Sequence, residues 1–373
     1  MSACNKQPVD PQAAEDASWY HWHIERDSLK HSGITSDLYE DGYFFIISVD
    51  SKTGDQFFTK VDERNGDFVF EEQIVTGGPL PNPVTAHIHF YDGKIIYIYE
   101  SSIYHLDKSD GHIIDIDIFP NHIWRYNLQD DYFSGCSYAG DFTLFRFYEF
   151  VYDGSNFSQR DIHREYFTHS NGNIDAGSAP CKTKDGWVMI YTTSETLPDI
   201  IIVENGQVER HQIHPAWGTQ VSFRLAIETD DFIYFNGIED IFKISKSNPR
   251  DYTQLSLSYT YRESSFFEYR DHIYYSPRDS RHEKIVKLNI QTDEVTEFVT
   301  EDPIKSYPTI INDTLYYTRG QLQRFDLIKE EFIPHRDDEY ERIGYFSNLT
   351  ISPNAKILNN ENGWFCTPLK GPR

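Results

Sequence analysis

Ala86-His87-Ile88-His89-Phe90-Tyr91-Asp92-Gly93-Lys94-Ile95-Ile96-Tyr97-Ile98-Tyr99 reads as a strand, a two-residue turn and a second strand. Residues 86–91 alternate in character with the period of two that a pleated strand requires. Asp92-Gly93 supplies the two positions at which a tight hairpin turn needs positive φ, and residues 94–99 return as an apolar run. The pattern continues through a third strand at 103–107, a turn at Asp110-Gly111 and a fourth strand at 112–118.

Working outward, the same signal recurs eight times. The turns are Asp41-Gly42, Asp92-Gly93, Asp130-Asp131, Asp185-Gly186, Asp230-Asp231, Asp271-His272, Asn312-Asp313 and Asn362-Gly363. Aromatic or β-branched runs follow them, such as Tyr43-Phe44-Phe45-Ile46-Ile47, Trp187-Val188-Met189-Ile190 and Phe232-Ile233-Tyr234-Phe235. Successive turns lie about 40–55 residues apart, the length of one four-stranded propeller blade. The expected fold is therefore all-β: a single closed β-propeller of eight blades, each of four antiparallel strands. Seven blades is the alternative, if residues 345–360 are an irregular extension. Residues 20–27 have the rhythm of an outer strand without a blade of its own, and residues 355–369 supply inner strands and stop. Pairing of these N- and C-terminal segments would close the ring and remove two open edges.

Composition agrees with strands. Aromatic residues make up 16% of the 373-residue chain, with 26 Tyr and 26 Phe, types that favour half-buried pleated surfaces. No apolar run is long enough to cross a bilayer. The formal net charge of −25 opposes binding to nucleic acid or to anionic lipid and favours a basic protein partner. The densest acidic stretches are Glu71-Glu72, Asp115 with Asp117, and Asp337-Asp338-Glu339.

Two segments carry the spacing "Leu-Asp, three residues, Gly, outer strand": Tyr104-His105-Leu106-Asp107-Lys108-Ser109-Asp110-Gly111 and Lys60-Val61-Asp62-Glu63-Arg64-Asn65-Gly66. They resemble the repeat of pyrroloquinoline-quinone-type propellers, with Phe70, Ile114 and Phe298 where that repeat usually has an outer-strand Trp. The resemblance implies the fold over most of the chain. It does not bring the redox cofactor, because those dehydrogenases carry adjacent cysteines and Cys4, Cys136, Cys181 and Cys366 are all apart. No Trp-Asp dipeptide marks a WD repeat.

Ser2-Ala3-Cys4 resembles the cleavage end of a bacterial lipoprotein signal, with Met1 where Leu is usual. That resemblance implies acylation at Cys4, residues 1–17 as a polar tether, residues 18–373 as the propeller, and a periplasmic protein anchored to the outer membrane by lipid alone. A cytoplasmic protein is the alternative.

Searches for chemistry return little. Gly135-Cys136-Ser137-Tyr138-Ala139-Gly140 is one residue out of register with a nucleophile elbow and lies on a strand pair. Asp107-Lys108-Ser109-Asp110-Gly111 has Gly at the fifth position, where an EF-hand loop needs it at the sixth. Neither a metal nor a cofactor is expected. His87 and His89 share one strand face, and with Trp124, Arg125, Trp217 and Arg224 they are the candidate binding residues. The functional expectation is a monomeric, non-enzymatic envelope protein that binds a basic partner. It would serve either as a scaffold, like the propeller lipoproteins of outer-membrane assembly machines, or as an immunity protein masking a toxin. The alternative is a lyase or hydrolase with its active site in the central funnel.

Overall fold

The computed structural model describes residues 22–25, 33–79, 87–139, 144–166, 176–192, 197–214, 224–236, 240–256, 267–275, 284–299, 309–311, 313–318, 322–333, 348–351, 355–360 and 363–368. Among them there are strands and no helix, so no helix is long and apolar enough to cross a membrane. The strands form a β-propeller: seven blades have four antiparallel strands, and one further sheet has five. The chain divides into two compact units, residues 1–98, 104–116 and 306–373, and residues 99–103 and 117–305.

In the first unit, sheet 1 is Gly33–Glu40, Tyr43–Val49, Gln56–Asp62 and Phe68–Val75. Sheet 2, through which the division runs, is His87–Tyr91, Lys94–Tyr99, Ser102–Leu106 and Ile113–Ile118. Sheet 7 is Thr309–Ile311, Thr314–Thr318, Leu322–Asp326 and Glu331–Phe332. Sheet 8 runs Asn348–Ile351, Ala355–Asn360, Gly363–Pro368 and then Trp22–Glu25. The N-terminal strand thus pairs antiparallel with the last, Trp22 opposite Cys366 and Glu25 opposite Gly363.

Sheet 8 departs from the sequence reading in one respect. Asn348–Ile351 is its innermost strand, so Ala355–Asn360 and Gly363–Pro368 are second and third in order. The run Trp364-Phe365-Cys366 therefore follows the second strand, whereas the runs in the other sheets follow the first. The physical reason is local: Asn348-Leu349-Thr350-Ile351 is short and mixed, with no turn dipeptide to announce it. Asn312 and Asn362 of the expected turns lie outside the described residues.

In the second unit, sheet 3 is Arg125–Leu128, Phe133–Ala139, Leu144–Tyr152 and Phe157–Tyr166. Sheet 4 has a broken inner edge, where the short strands Ala176–Gly177 and Cys181–Lys182 both pair with Gly186–Thr192, followed by Asp199–Glu204 and Gln207–Gln212. Sheet 5 is Arg224–Glu228, Phe232–Asn236, Asp240–Ser245 and Tyr252–Ser256. Sheet 6 is Phe267–Tyr269, His272–Tyr275, Lys284–Asn289 and Val295–Val299.

The middle strands of sheet 4 are apolar on both faces because one face packs against sheet 5 and the other against sheet 3. In sheet 4, Val188, Ile190, Ile200 and Ile202 join a core cluster with Ile233, Phe235, Phe242 and Ile244 of sheet 5. Their odd-even partners Met189, Tyr191, Ile201 and Val203 join a second cluster with Cys136, Phe145 and Phe147 of sheet 3. One strand thus feeds two cores by parity alone. Burying an aliphatic side chain of this size contributes about 1.5–3 kcal/mol. In the first unit, Ile34, Phe44, Ile46 and Val61 of sheet 1 pack with Trp364 of sheet 8.

The turns behave as their residues require. Asp92 and Gly93 have φ of 46° and 74°, the pair of positive values that a type I′ hairpin turn demands. Gly135, in the near-match to a nucleophile elbow, lies inside Phe133–Ala139. A methyl there would stand 2.8 Å from Tyr148 and 3.0 Å from Phe150, so close ring packing accounts for this glycine.

Candidate functional site

Three hairpin turns of the second unit, from sheets 3, 5 and 6, border one cavity of about 370 Å³. The first is closed by Gln129 N donating to the Tyr132 carbonyl at 2.9 Å, and carries Asp130 and Asp131 at its tip. The second is closed in the same way, Thr229 N to the Phe232 carbonyl at 2.9 Å, and carries Asp230 and Asp231. Thr229 Oγ1 also accepts from Phe232 N at 3.1 Å. The third ends at Asp271, whose carbonyl accepts from Ile290 N at 3.0 Å. Where three other sheets place Asp-Gly, two of these turns place Asp-Asp, and each adds a second carboxylate to the cavity wall.

Among the described residues, Glu228 and Glu268 bring the lining carboxylates to seven, against the one ammonium of Lys246. Glu268 is held above the ordinary carboxylate range by burial, and then by the charges of Asp230 and Asp271. Asp131 pairs with Lys182 at 2.9 Å. Asp130, Asp230, Asp231 and Asp271 form no ion pair among the described residues.

Glu228 differs from the others because its side chain is only 3% exposed. Its Oε1 accepts from the Tyr132 hydroxyl and, at 2.5 Å, from Asn127 Nδ2. Asn127 belongs to sheet 3 and Glu228 to sheet 5, so they meet across the broken inner edge of sheet 4. Gln129 Nε2 donates to Asn127 Oδ1 at 2.8 Å and fixes the amide. Glu228 Oε2 is ion-paired with Lys246 Nζ at 3.1 Å and receives no hydrogen bond from the described residues. Burial raises the Tyr132 hydroxyl far above its usual range, with Cys181 and Glu228 adding to the effect. Burial, and then Glu228, likewise keeps Cys181 a thiol. Tyr132 is therefore a fixed donor, and Cys181 lacks the lowered pKa of a nucleophilic cysteine.

The residues singled out from sequence lie in several places. His87 and His89 sit on the first strand of sheet 2 with ring centroids 6.3 Å apart. Burial, and then the charge of His87, lowers His89 to about 4. Trp124 and Arg125 are together in the second unit: the guanidinium lies 4.3 Å over the indole and donates to the Gly177 carbonyl at 2.8 Å. Trp124 also meets Tyr138 and Phe145 and packs against the core of sheets 3 and 4. Arg224 begins the first strand of sheet 5 opposite Asn236. Trp217 and Cys4 lie outside the described residues. Of the described candidates, His87, His89, Trp124 and Arg125 do not line the acidic cavity, which the sequence reading missed. The signal that pointed to it was the replacement of the turn glycine by a second Asp.

Asp107, Asp110 and His112 form a group of potential metal ligands whose atoms lie within 4.8 Å of one another. The Asp107 carboxylate already accepts from Ser109 N at 2.7 Å and from Ser109 Oγ, and these bonds, the side-chain one first, lower its pKa. Asp110 pairs with His112 Nδ1. Both Asp110 and His112 are exposed, which fits a tied-down turn.

No family model matches the chain, and no curated protein matches it in sequence. Solved structures share its fold. BamB from Moraxella catarrhalis is 11% identical with a TM-score of 0.56, covering 93% of this chain and 98% of its own. Sqt1 from Saccharomyces cerevisiae is 9% identical with a TM-score of 0.58, covering 94% and 98%. The WD40 domain of SCAP from fission yeast is 8% identical with a TM-score of 0.51, covering 90% and 95%. Identities this low speak for architecture alone. The chain is a β-propeller.

Proposed function

We propose that this chain is a protein-binding β-propeller that recognises a basic partner through its acidic cavity and performs no chemistry of its own. The observation that carries the reading is the imbalance in the second unit, seven carboxylates facing one ammonium around a concave surface. The net charge of −25 favours the same sign of partner over longer range. The buried hydroxyl and thiol beside the cavity are held protonated, which favours binding over nucleophilic catalysis.

In this reading the eight sheets are the blades of one ring with a pyrroloquinoline-quinone-type repeat, closed by the pairing of Trp22–Glu25 with Gly363–Pro368. The protein is a monomer, tethered through an acylated Cys4 and the polar segment behind it to the outer membrane and facing the periplasm. It acts as an assembly scaffold or as an immunity protein, and inhibition of the partner's own activity distinguishes the second. His87, His89, Trp124, Arg125, Trp217 and Arg224 are proposed as additional partner contacts.

The test is association kinetics between the full chain and a basic protein recovered with it from envelope extract. Steered association slows as the Debye length falls from about 30 Å at 0.01 M salt to about 8 Å at 0.15 M. The on-rate should drop steeply over that range while dissociation changes little. Recovery of acidic partners only, or an on-rate indifferent to salt, would overturn the reading. Palmitate incorporation into wild type but not Cys4→Ser tests the anchor.

A further inference from the structure

We propose that the acidic cavity is a receptor for an arginine side chain, its guanidinium held among the carboxylates of the Asp130-Asp131 and Asp230-Asp231 turns, Glu268 and Glu228. The inference rests on the protein-binding reading above and names the group that the basic partner inserts. Its first support is size. A cavity of about 370 Å³ is too large for a lone ion. It sits near the lower end of the roughly 300–1,000 Å³ range of small-ligand pockets, which suits one extended side chain.

The second support is the dispersion of the charges. Calcium is surrounded by oxygens at about 2.3–2.6 Å, which forces its ligand atoms close together. Among the described residues only Asp107, Asp110 and His112 bring three ligand atoms within 4.8 Å of one another, and none of them lines the cavity. No three of the cavity's described carboxylates converge as a calcium cage requires. A planar guanidinium presents five N–H donors in a fixed fork and can reach several acceptors that do not touch each other. An ammonium is a compact point charge, and the cavity already holds one in Lys246.

The third support is Glu228. Its side chain is 3% exposed, and its Oε2 receives no hydrogen bond from the described residues; Lys246 Nζ is 3.1 Å away but outside hydrogen-bonding geometry. That oxygen is ion-paired with Lys246, and a carboxylate oxygen has room for a further donor, which a guanidinium arriving in the cavity can supply. Glu268, raised by burial and by Asp230 and Asp271, reports repulsion that an entering cation relieves.

The experiment titrates the full chain with acetyl-triarginine amide at low salt, beside the tricitrulline peptide, which keeps the shape without the charge, and trilysine. Triarginine should bind, tricitrulline should not, and trilysine should bind at least fivefold more weakly. Asp230→Asn with Asp271→Asn, both on exposed turns, should weaken triarginine at least tenfold. Glu72→Gln with Asp115→Asn removes the same charge from outer strands and should change it less than twofold. Equal losses in the two pairs, or equal binding of trilysine, would overturn the proposal. So would calcium at low millimolar concentration displacing triarginine from wild type but not from Asp107→Asn. If the recovered basic partner binds Asp230→Asn/Asp271→Asn as tightly as wild type, the arginine site fails and the protein-binding reading stands. If triarginine behaves as described while no basic protein is recovered at any salt, the protein-binding reading fails and the guanidinium site stands.

Discussion

Replacing Tyr132 by Phe removes one hydrogen-bond donor from Glu228, the buried carboxylate at the candidate site. The Tyr132 hydroxyl donates to Glu228 Oε1, and Asn127 Nδ2 is the other donor to the same oxygen. Glu228 is 3% exposed, so solvent does not replace the lost bond. The ring itself is retained and keeps its edge contact with Trp187 at 5.4 Å, so no cavity opens. What is lost is one hydrogen bond to a buried charge, about 1.5–3 kcal/mol, together with the bond that Asn127 Nδ2 donates to the same hydroxyl while keeping its bond to Glu228. Tyr132→Phe should therefore lower stability by about 2 kcal/mol, read from the urea midpoint at constant m value. In a Glu228→Gln background the same change removes a bond between neutral groups and should cost about 1 kcal/mol. The difference, a coupling of about 1 kcal/mol, is the signature of the charge. A loss below about 0.5 kcal/mol in the wild-type background, or equal losses in both, would refute the account of Glu228 as a desolvated, donor-dependent carboxylate.

Gly111 has φ of +82°, and a methyl on it would meet the Phe70 ring at 2.4 Å, whereas Gly93, at +74°, has nothing within 4 Å. Gly93→Ala should cost about 1 kcal/mol for backbone strain alone and Gly111→Ala clearly more, compared by equilibrium unfolding. Gly135→Ala should destabilise by about 1–3 kcal/mol through overpacking against Tyr148 and Phe150, and a neutral result would contradict the register of sheet 3. His89, lowered to about 4, is neutral in the fold while the unfolded chain takes up a proton near 6.5. Its contribution to stability is present above pH 6.5 and lost as pH falls towards 4, and His89→Gln should flatten that part of the stability profile. Asp230→Asn with Asp271→Asn should bring the Glu268 carboxyl down towards its ordinary value in an NMR titration.

The strand order within most sheets was legible because its determinants are local. Asp41-Gly42 and Asp92-Gly93 carry the φ signs of their turns, and the runs behind them, residues 44–47 and 95–99, are apolar or aromatic and buried at every position. The inner strand Asn348–Ile351 was not legible, since four mixed residues without a turn signal set no period. The break between Ala176–Gly177 and Cys181–Lys182 was visible only as an irregular stretch before Cys181. The acidic cavity was less legible still. Asp130 and Asp230 are a hundred positions apart, and it is the approach of Asn127 and Tyr132 to Glu228 that shows their turns share one space. His87, His89 and Trp124 stand out for their chemistry, yet the first two meet edge-on along one strand and Trp124 packs into a core.

The pairing of Trp22–Glu25 with Gly363–Pro368 joins segments roughly 340 residues apart in the chain. During synthesis the earlier strand emerges first and has no partner until the later one is made, at about 5–20 residues per second. For tens of seconds sheet 8 is absent while residues 117–305, nearly all of the second unit, are already available to fold. That order puts the costliest loop closure last. Until then the earliest strand exposes an unsatisfied edge, the kind of surface that chaperones and neighbouring chains bind.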